Sequence, residues 1–134
     1  MTTAVAPPGV NPSFAQLETP ALLLDVGQME RNIERMRAQL ARLQVAFRPH
    51  VKTNKCMDVT QRLLDAGATG ITVSTLREAE YFGAHGVKDV LYAVSMSPNK
   101  LDHALRLRAS GMKLTVIVDN VEVAQANDYK ICAF

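Results

Sequence analysis

The sequence predicts an α/β fold of parallel strands, about the first four strand–helix units of an eight-fold (β/α) barrel. Three observations predict it. Short apolar runs alternate with helix-like stretches along most of the chain. A capping residue stands just beyond several runs: Asp25, Thr75, Ser97 and Asp119. Three of these have Gln28, Glu78 or Glu122 three positions on, the capping-box spacing. Glycines, among them Gly67 and Gly111, fall where the helices should end. Strand–helix alternation puts a parallel sheet under helices. A complete barrel takes roughly 250 residues, so four units are half of one.

The 134 residues suffice for one domain with its own core. With 48% hydrophobic and 21% charged residues, the composition is that of a globular chain. A net charge of +2 gives no strong electrostatic claim on nucleic acid or a membrane surface. The two cysteines, Cys56 and Cys132, make no disulfide framework, so a reducing, cytoplasmic setting is expected. No apolar run reaches the ~20 residues of a membrane span, and no secretory leader pattern opens the chain.

In order, residues 1–16 carry Pro7, Pro8, Pro12 and Gly9 and read as a disordered lead-in. Ala21-Leu22-Leu23-Leu24 reads as an opening strand within Leu17–Asp25. Met29, Ile33, Met36, Leu40 and Leu43 recur at helical spacing and predict a helix whose stripe packs into the core. Glu30 and Glu34 are placed to pair with its arginines. A helix over Met57–Asp65 should close at Gly67. Gly70–Ser74 is the next strand, and Thr75 opens a helix to about Phe82. Val90–Val94 is a strand, Ser97-Pro98 starts a helix ending at Gly111, and Leu114–Val118 is the last strand. Asp119 should cap one more helix. The domain is expected over 17–126, with 127–134 an irregular tail where the chain reads as truncated.

The chemistry concentrates in Val45-Ala46-Phe47-Arg48-Pro49-His50-Val51-Lys52-Thr53-Asn54-Lys55. Read as a strand, it puts Val45, Phe47, Pro49 and Val51 on one face. Ala46, Arg48, His50, Lys52 and Asn54 share the other. A lysine at the end of a barrel strand lies where βα proteins keep their active sites. Its structural alternative is an ordinary surface lysine. Thr72, Ser74, Tyr92 and Asp119 are further residues that could line a pocket, although small polar residues at strand ends also serve as caps. His85 and His103 have no partners at metal-ligand spacing.

Arg48-Pro49-His50-Val51-Lys52-Thr53-Asn54-Lys55 resembles the lysine segment of D-threonine aldolases and D-serine dehydratases, in the alanine-racemase-like group of pyridoxal-phosphate (PLP) barrels. Thr19-Pro20-Ala21-Leu22-Leu23-Leu24-Asp25 resembles that group's opening strand at the matching distance. The resemblance covers roughly Leu17 to Ala126. It implies a TIM-type barrel in which Lys52 is the catalytic residue that holds PLP covalently and His50 lies in the cofactor site. The implied activity is a lyase on D-3-hydroxy amino acids, with retro-aldol cleavage to glycine and an aldehyde as the first reading. The alternatives are D-serine dehydration and a non-catalytic half-barrel module that pairs with a second chain, for instance as a homodimer. Such a lysine must be partly desolvated so that its neutral amine can attack an aldehyde.

The family also uses a divalent metal and later phosphate loops, whose residues are not among these 134; the chain alone is therefore expected to be inactive or weak. Many relatives carry histidine where Asn54 stands, which puts proton shuttling there in doubt. An alanine racemase fits less well, because the segment reads Val-Lys-Thr-Asn-Lys.

Overall fold

Parallel strands reached through helical crossovers set the architecture. The computed structural model describes residues 16–125. Its elements are helix α1 (Val26–Arg42), helix α2 (Met57–Asp65), strand β1 (Ile71–Val73), helix α3 (Leu76–Ala84) and strand β2 (Asp89–Ser95). A 3₁₀ turn (Pro98–Lys100), helix α4 (Leu101–Ala109) and strand β3 (Lys113–Ile117) follow. The sheet order is β1-β2-β3, all parallel. Among the described residues, no helix is long and apolar enough to cross a membrane.

Each crossover follows from local sequence. Asp25 Oδ1 accepts the Gln28 N–H at 2.8 Å, and Thr75 Oγ1 accepts the Glu78 N–H at 3.0 Å, so both helices start at their capping residues. The α2 helix ends at Asp65, and Gly67 takes φ +95°, which glycine adopts without a Cβ clash.

One face of the sheet makes the core. Ile71, Val73, Val90 and Tyr92 pack against Leu76, Ala79 and Phe82 of α3 and Leu101, Ala104 and Leu107 of α4. Each large apolar side chain buried this way contributes about 1.5–3 kcal/mol. The register then sets the other face: His50 lies beside Thr72, Thr72 beside Leu91, and Leu91 beside Thr115.

Five expectations are corrected. Leu22–Leu24 forms no strand; Leu22 is 94% exposed, because among the described residues no strand lies beside it to pair with. The segment from Val45 is extended only to its single bridge at His50 and then turns. It still follows β1, since Pro49 O accepts the Thr72 N–H (2.8 Å) and Thr72 O accepts the Val51 N–H (3.0 Å). Proline at 49 offers no N–H for a ladder on either side.

The α1 stripe is not core: no α1 residue is buried and Met36 is 50% exposed, because the helix stands off the sheet over a groove. Tyr92 does not face the pocket side. It is 1% exposed, within the helix-covered core, and its hydroxyl accepts a hydrogen bond from Lys100 Nζ at 2.8 Å. Asp119 is not the last cap. Asn120 Oδ1 accepts the Val123 N–H at 2.8 Å, one residue later than expected. Apart from Gln16, the lead-in lies outside the described residues, as does the 127–134 tail.

Candidate functional site

Lys52 leaves the extended segment in a turn over 52–54, immediately beyond the C-terminal end of its pairing with β1. Two local bonds make the turn: Lys55 N–H donates to Val51 O (3.0 Å) and Cys56 N–H donates to Asn54 Oδ1 (3.2 Å). Lys55 takes φ +43°, which redirects the chain into α2. Asn54 is thus used as a backbone acceptor. Below the turn, Val51 is fully buried and anchors it to the core.

The cations of the segment have different fates. Lys55 Nζ lies 3.3 Å from Glu78 Oε1. Arg48 Nη2 lies 2.7 Å from Asp89 Oδ1, at the opposite, N-terminal end of the strands. Lys52 Nζ is exposed and makes no ion pair or hydrogen bond among the described residues. Its amine is open to solvent on the side where barrel enzymes bind ligands.

His50 joins Lys52 to the end of β1. The Lys52 backbone N–H donates to His50 Nδ1 at 3.3 Å, and His50 Nε2 lies 3.3 Å from Ser74 Oγ. Partial burial, and then the Lys52 charge, hold the imidazole below its usual value of 6.5, against an opposing pull from Glu78. Glu78 closes the network. Burial raises its pKa, yet the Ser74 N–H and Lys55 outweigh that, and its carboxyl sits below the usual range. Ser74 N–H donates to Glu78 Oε2 at 2.8 Å.

Of the sequence-predicted residues, Lys52, His50 and Ser74 come together, with Thr72 on the same face next to His50. Tyr92 and Asp119 do not join them. Glu78, which the sequence marks only as half of a capping box, is brought to Lys55 by the fold across 23 positions. Among the described residues, no three His, Cys, Asp or Glu side chains converge to hold a metal. A separate apolar groove of about 800 Å³ runs between α1 and α2, lined by Met29, Ile33, Met36, Phe47 and Leu63. Neither Lys52 nor His50 lines it.

The likeness to known proteins covers the same stretch. Residues 24–130 match the family described as "Alanine racemase, N-terminal domain". D-threo-3-hydroxyaspartate dehydratase of Delftia sp. (strain HT23) is 53% identical over 110 residues, 82% of this chain and 29% of that protein. D-threonine aldolase of Arthrobacter sp. is 37% identical over 127 residues, 90% of this chain and 33% of that protein. The solved structure of the Delftia sp. HT23 dehydratase superposes with a TM-score of 0.84 at 50% identity, covering 86% of this chain and 30% of that one. The chain thus spans about a third of the length of the relatives it matches. With the partial barrel of parallel strands and the matched profile, the chain belongs to the alanine racemase N-terminal domain family.

Proposed function

We propose that this chain is the lysine-bearing part of a PLP-dependent lyase acting on D-3-hydroxy amino acids, with Lys52 the covalent anchor and His50 in the cofactor site. One observation carries the reading. Among the described residues Lys52 presents an unpaired primary amine at the C-terminal end of parallel strands, while the neighbouring ammonium of Lys55 is tied to Glu78. An amine that is to bond an aldehyde must be free of a carboxylate that would hold it protonated, and Lys52 meets that requirement; the partial desolvation expected of it is absent among the described residues, where Lys52 is exposed. These residues therefore fit the cofactor.

When bound, PLP supplies an electron sink for the substrate's α-carbon. This chain's residues hold and orient. Lys52 provides the nitrogen, His50 and Ser74 fix the turn that carries it, and Thr72, itself buried, pairs beside His50. Glu78 draws the second cation away from the anchor.

Two outcomes are open to a D-3-hydroxy amino acid. Cleavage between Cα and Cβ gives glycine and an aldehyde; loss of water gives ammonia and a 2-oxo acid after hydrolysis. The 37% identity to a D-threonine aldolase supports the first, and the 53% identity to a D-threo-3-hydroxyaspartate dehydratase supports the second. Product analysis with D-threonine and D-threo-3-hydroxyaspartate, with PLP and a divalent metal added, tests the reading. Slow formation of either product pair, absent with the L-enantiomers, is the expected result. Racemisation of alanine, or equal action on L-substrates, contradicts it.

The non-catalytic module reading has its own observation. The segment at 45–49 and strand β3 have no further strand beside them among the described residues, and Ile117 is exposed. A discrete dimer in sedimentation, with no product of either kind, would favour that reading.

A further inference from the structure

The His50 ring has two neighbours and one arrangement that satisfies both. A backbone N–H can only donate, so His50 Nδ1 must accept from Lys52. A neutral imidazole that accepts at Nδ1 carries its proton on Nε2. Nε2–H then donates to Ser74 Oγ, 3.3 Å away. Ser74 is fixed in turn, because its own N–H is held by Glu78 Oε2 at 2.8 Å. Glu78 belongs to the first turn of α3, and Thr75 caps that helix. The Lys52 turn is thereby fastened, through one imidazole, to the end of β1 and the start of α3. From the far side, Lys55 Nζ meets Glu78 at 3.3 Å, so the turn is tied at both ends to the same carboxylate.

We infer that His50 is a positioning residue that acts on the backbone of Lys52, selecting which lysine of the turn is presented to an aldehyde cofactor. This inference rests on the reading of Lys52 as the anchor and adds the device that sets it. The turn carries two amines three residues apart, Lys52 and Lys55. Without the His50 acceptor, the Lys52 N–H loses its partner and the turn is free to bring either lysine forward. Protonating His50 would do the same, since a proton on Nδ1 removes the acceptor. The charged groups facing the ring are Lys52 from its own segment and Glu78 from α3.

The test uses two variants and two readouts. His50→Asn keeps a short acceptor near the Nδ1 position and cannot titrate; His50→Phe removes the acceptor. The chain is incubated with PLP, reduced with borohydride and mapped for the labelled lysine. Wild type and His50→Asn are expected to label Lys52 in preference to Lys55. His50→Phe is expected to lower the Lys52-to-Lys55 ratio about fivefold, the size that one ordinary hydrogen bond supports. The ¹⁵N shifts of the His50 ring should show the proton on Nε2. An unchanged ratio in His50→Phe, or a proton on Nδ1 in the neutral form, overturns the positioning role while leaving Lys52 as the anchor. Absence of Lys52 labelling in the wild type overturns the anchor reading, and this inference with it.

Discussion

The Arg48 guanidinium lies 2.7 Å from the Asp89 carboxylate, and the path between them runs over Gly70. A Cβ on residue 70 would meet Arg48 Nη1 at 2.5 Å and the Asp89 carbonyl at 2.6 Å. Lys113 Nζ closes on the same carboxylate at 2.8 Å from β3. The segment before Lys52 is thereby linked over β1 to β2 and β3 at the N-terminal end of the strands, while His50 and Lys55 hold it at the other end. Gly70→Ala should destabilise the chain by about 1–3 kcal/mol, as overpacking does. Adding Arg48→Ala should rescue only part of this, because the Asp89 carbonyl stays in place. Urea midpoints of the single and double variants measure it.

Acid should loosen this end and the Glu78 network together. Lys113 lowers the Asp89 pKa against partial burial, with Arg48 adding to it, and Glu78 is lowered by Ser74 and Lys55 against its own burial. Folded pKa values below the unfolded ones mean stability that is full above the unfolded values, near 3.8 and 4.5, and is lost as pH falls through the folded ones. Asp89→Asn should therefore flatten the acid side of a stability-against-pH curve and cost about 1–3 kcal/mol at pH 7, since a partly buried cation loses its partner.

His50 gives a second pH window at higher pH. Its folded pKa is lowered by partial burial and by Lys52. The unfolded chain therefore takes up this proton first as pH falls. The contribution is complete above about 6.5 and disappears as pH drops through the folded value. His50→Asn should lack that slope. Comparing its urea midpoint with wild type at several pH values between about 8 and 5 checks the sign.

Glu78→Gln should keep the helix start but release Lys55. Its side chain is almost fully enclosed, so a stability loss of about 1–2 kcal/mol is expected for trading a charge-assisted bond for a neutral one. In the PLP trapping experiment, Lys55 should gain label relative to Lys52. Unchanged Lys55 labelling would show that Glu78 does not restrain it.

Tyr92→Phe tests the corrected placement of that residue. With the ring buried in the core and its hydroxyl accepting from Lys100, loss of the hydroxyl should cost about 0.5–1.5 kcal/mol. It should leave Lys52 labelling unchanged. A large change in labelling would return Tyr92 to the pocket side.

Much of this was legible in the residues because the signals were local. The α2 bounds follow from its apolar spacing and Gly67, and the α3 start follows from Thr75 and Glu78. The strands at Ile71, Val90 and Leu114 follow from apolar runs between those helices. What failed depended on distant partners. Leu22–Leu24 has strand composition, but a strand needs a neighbour, and composition does not supply one. The α1 stripe has the period of a packed helix, yet period does not say how closely the helix approaches the sheet. Tyr92 alternates onto the face that the helices cover, which needs the register with Val73 and Val116 to be known. Lys52 and His50 were legible as a pair from the lysine segment. The bond that ties His50 to Ser74 crosses 24 positions of sequence and the Lys55–Glu78 pair crosses 23, and no spacing rule reveals them.

The most direct measurement is PLP titration of the purified chain, followed by borohydride reduction and peptide mapping. A stable pyridoxyl adduct concentrated on Lys52 is expected, because among the described residues its amine, unlike that of Lys55, has no carboxylate partner. Label scattered over Lys55, Lys88 and Lys113 in proportion to their exposure, or no stable label, would contradict it.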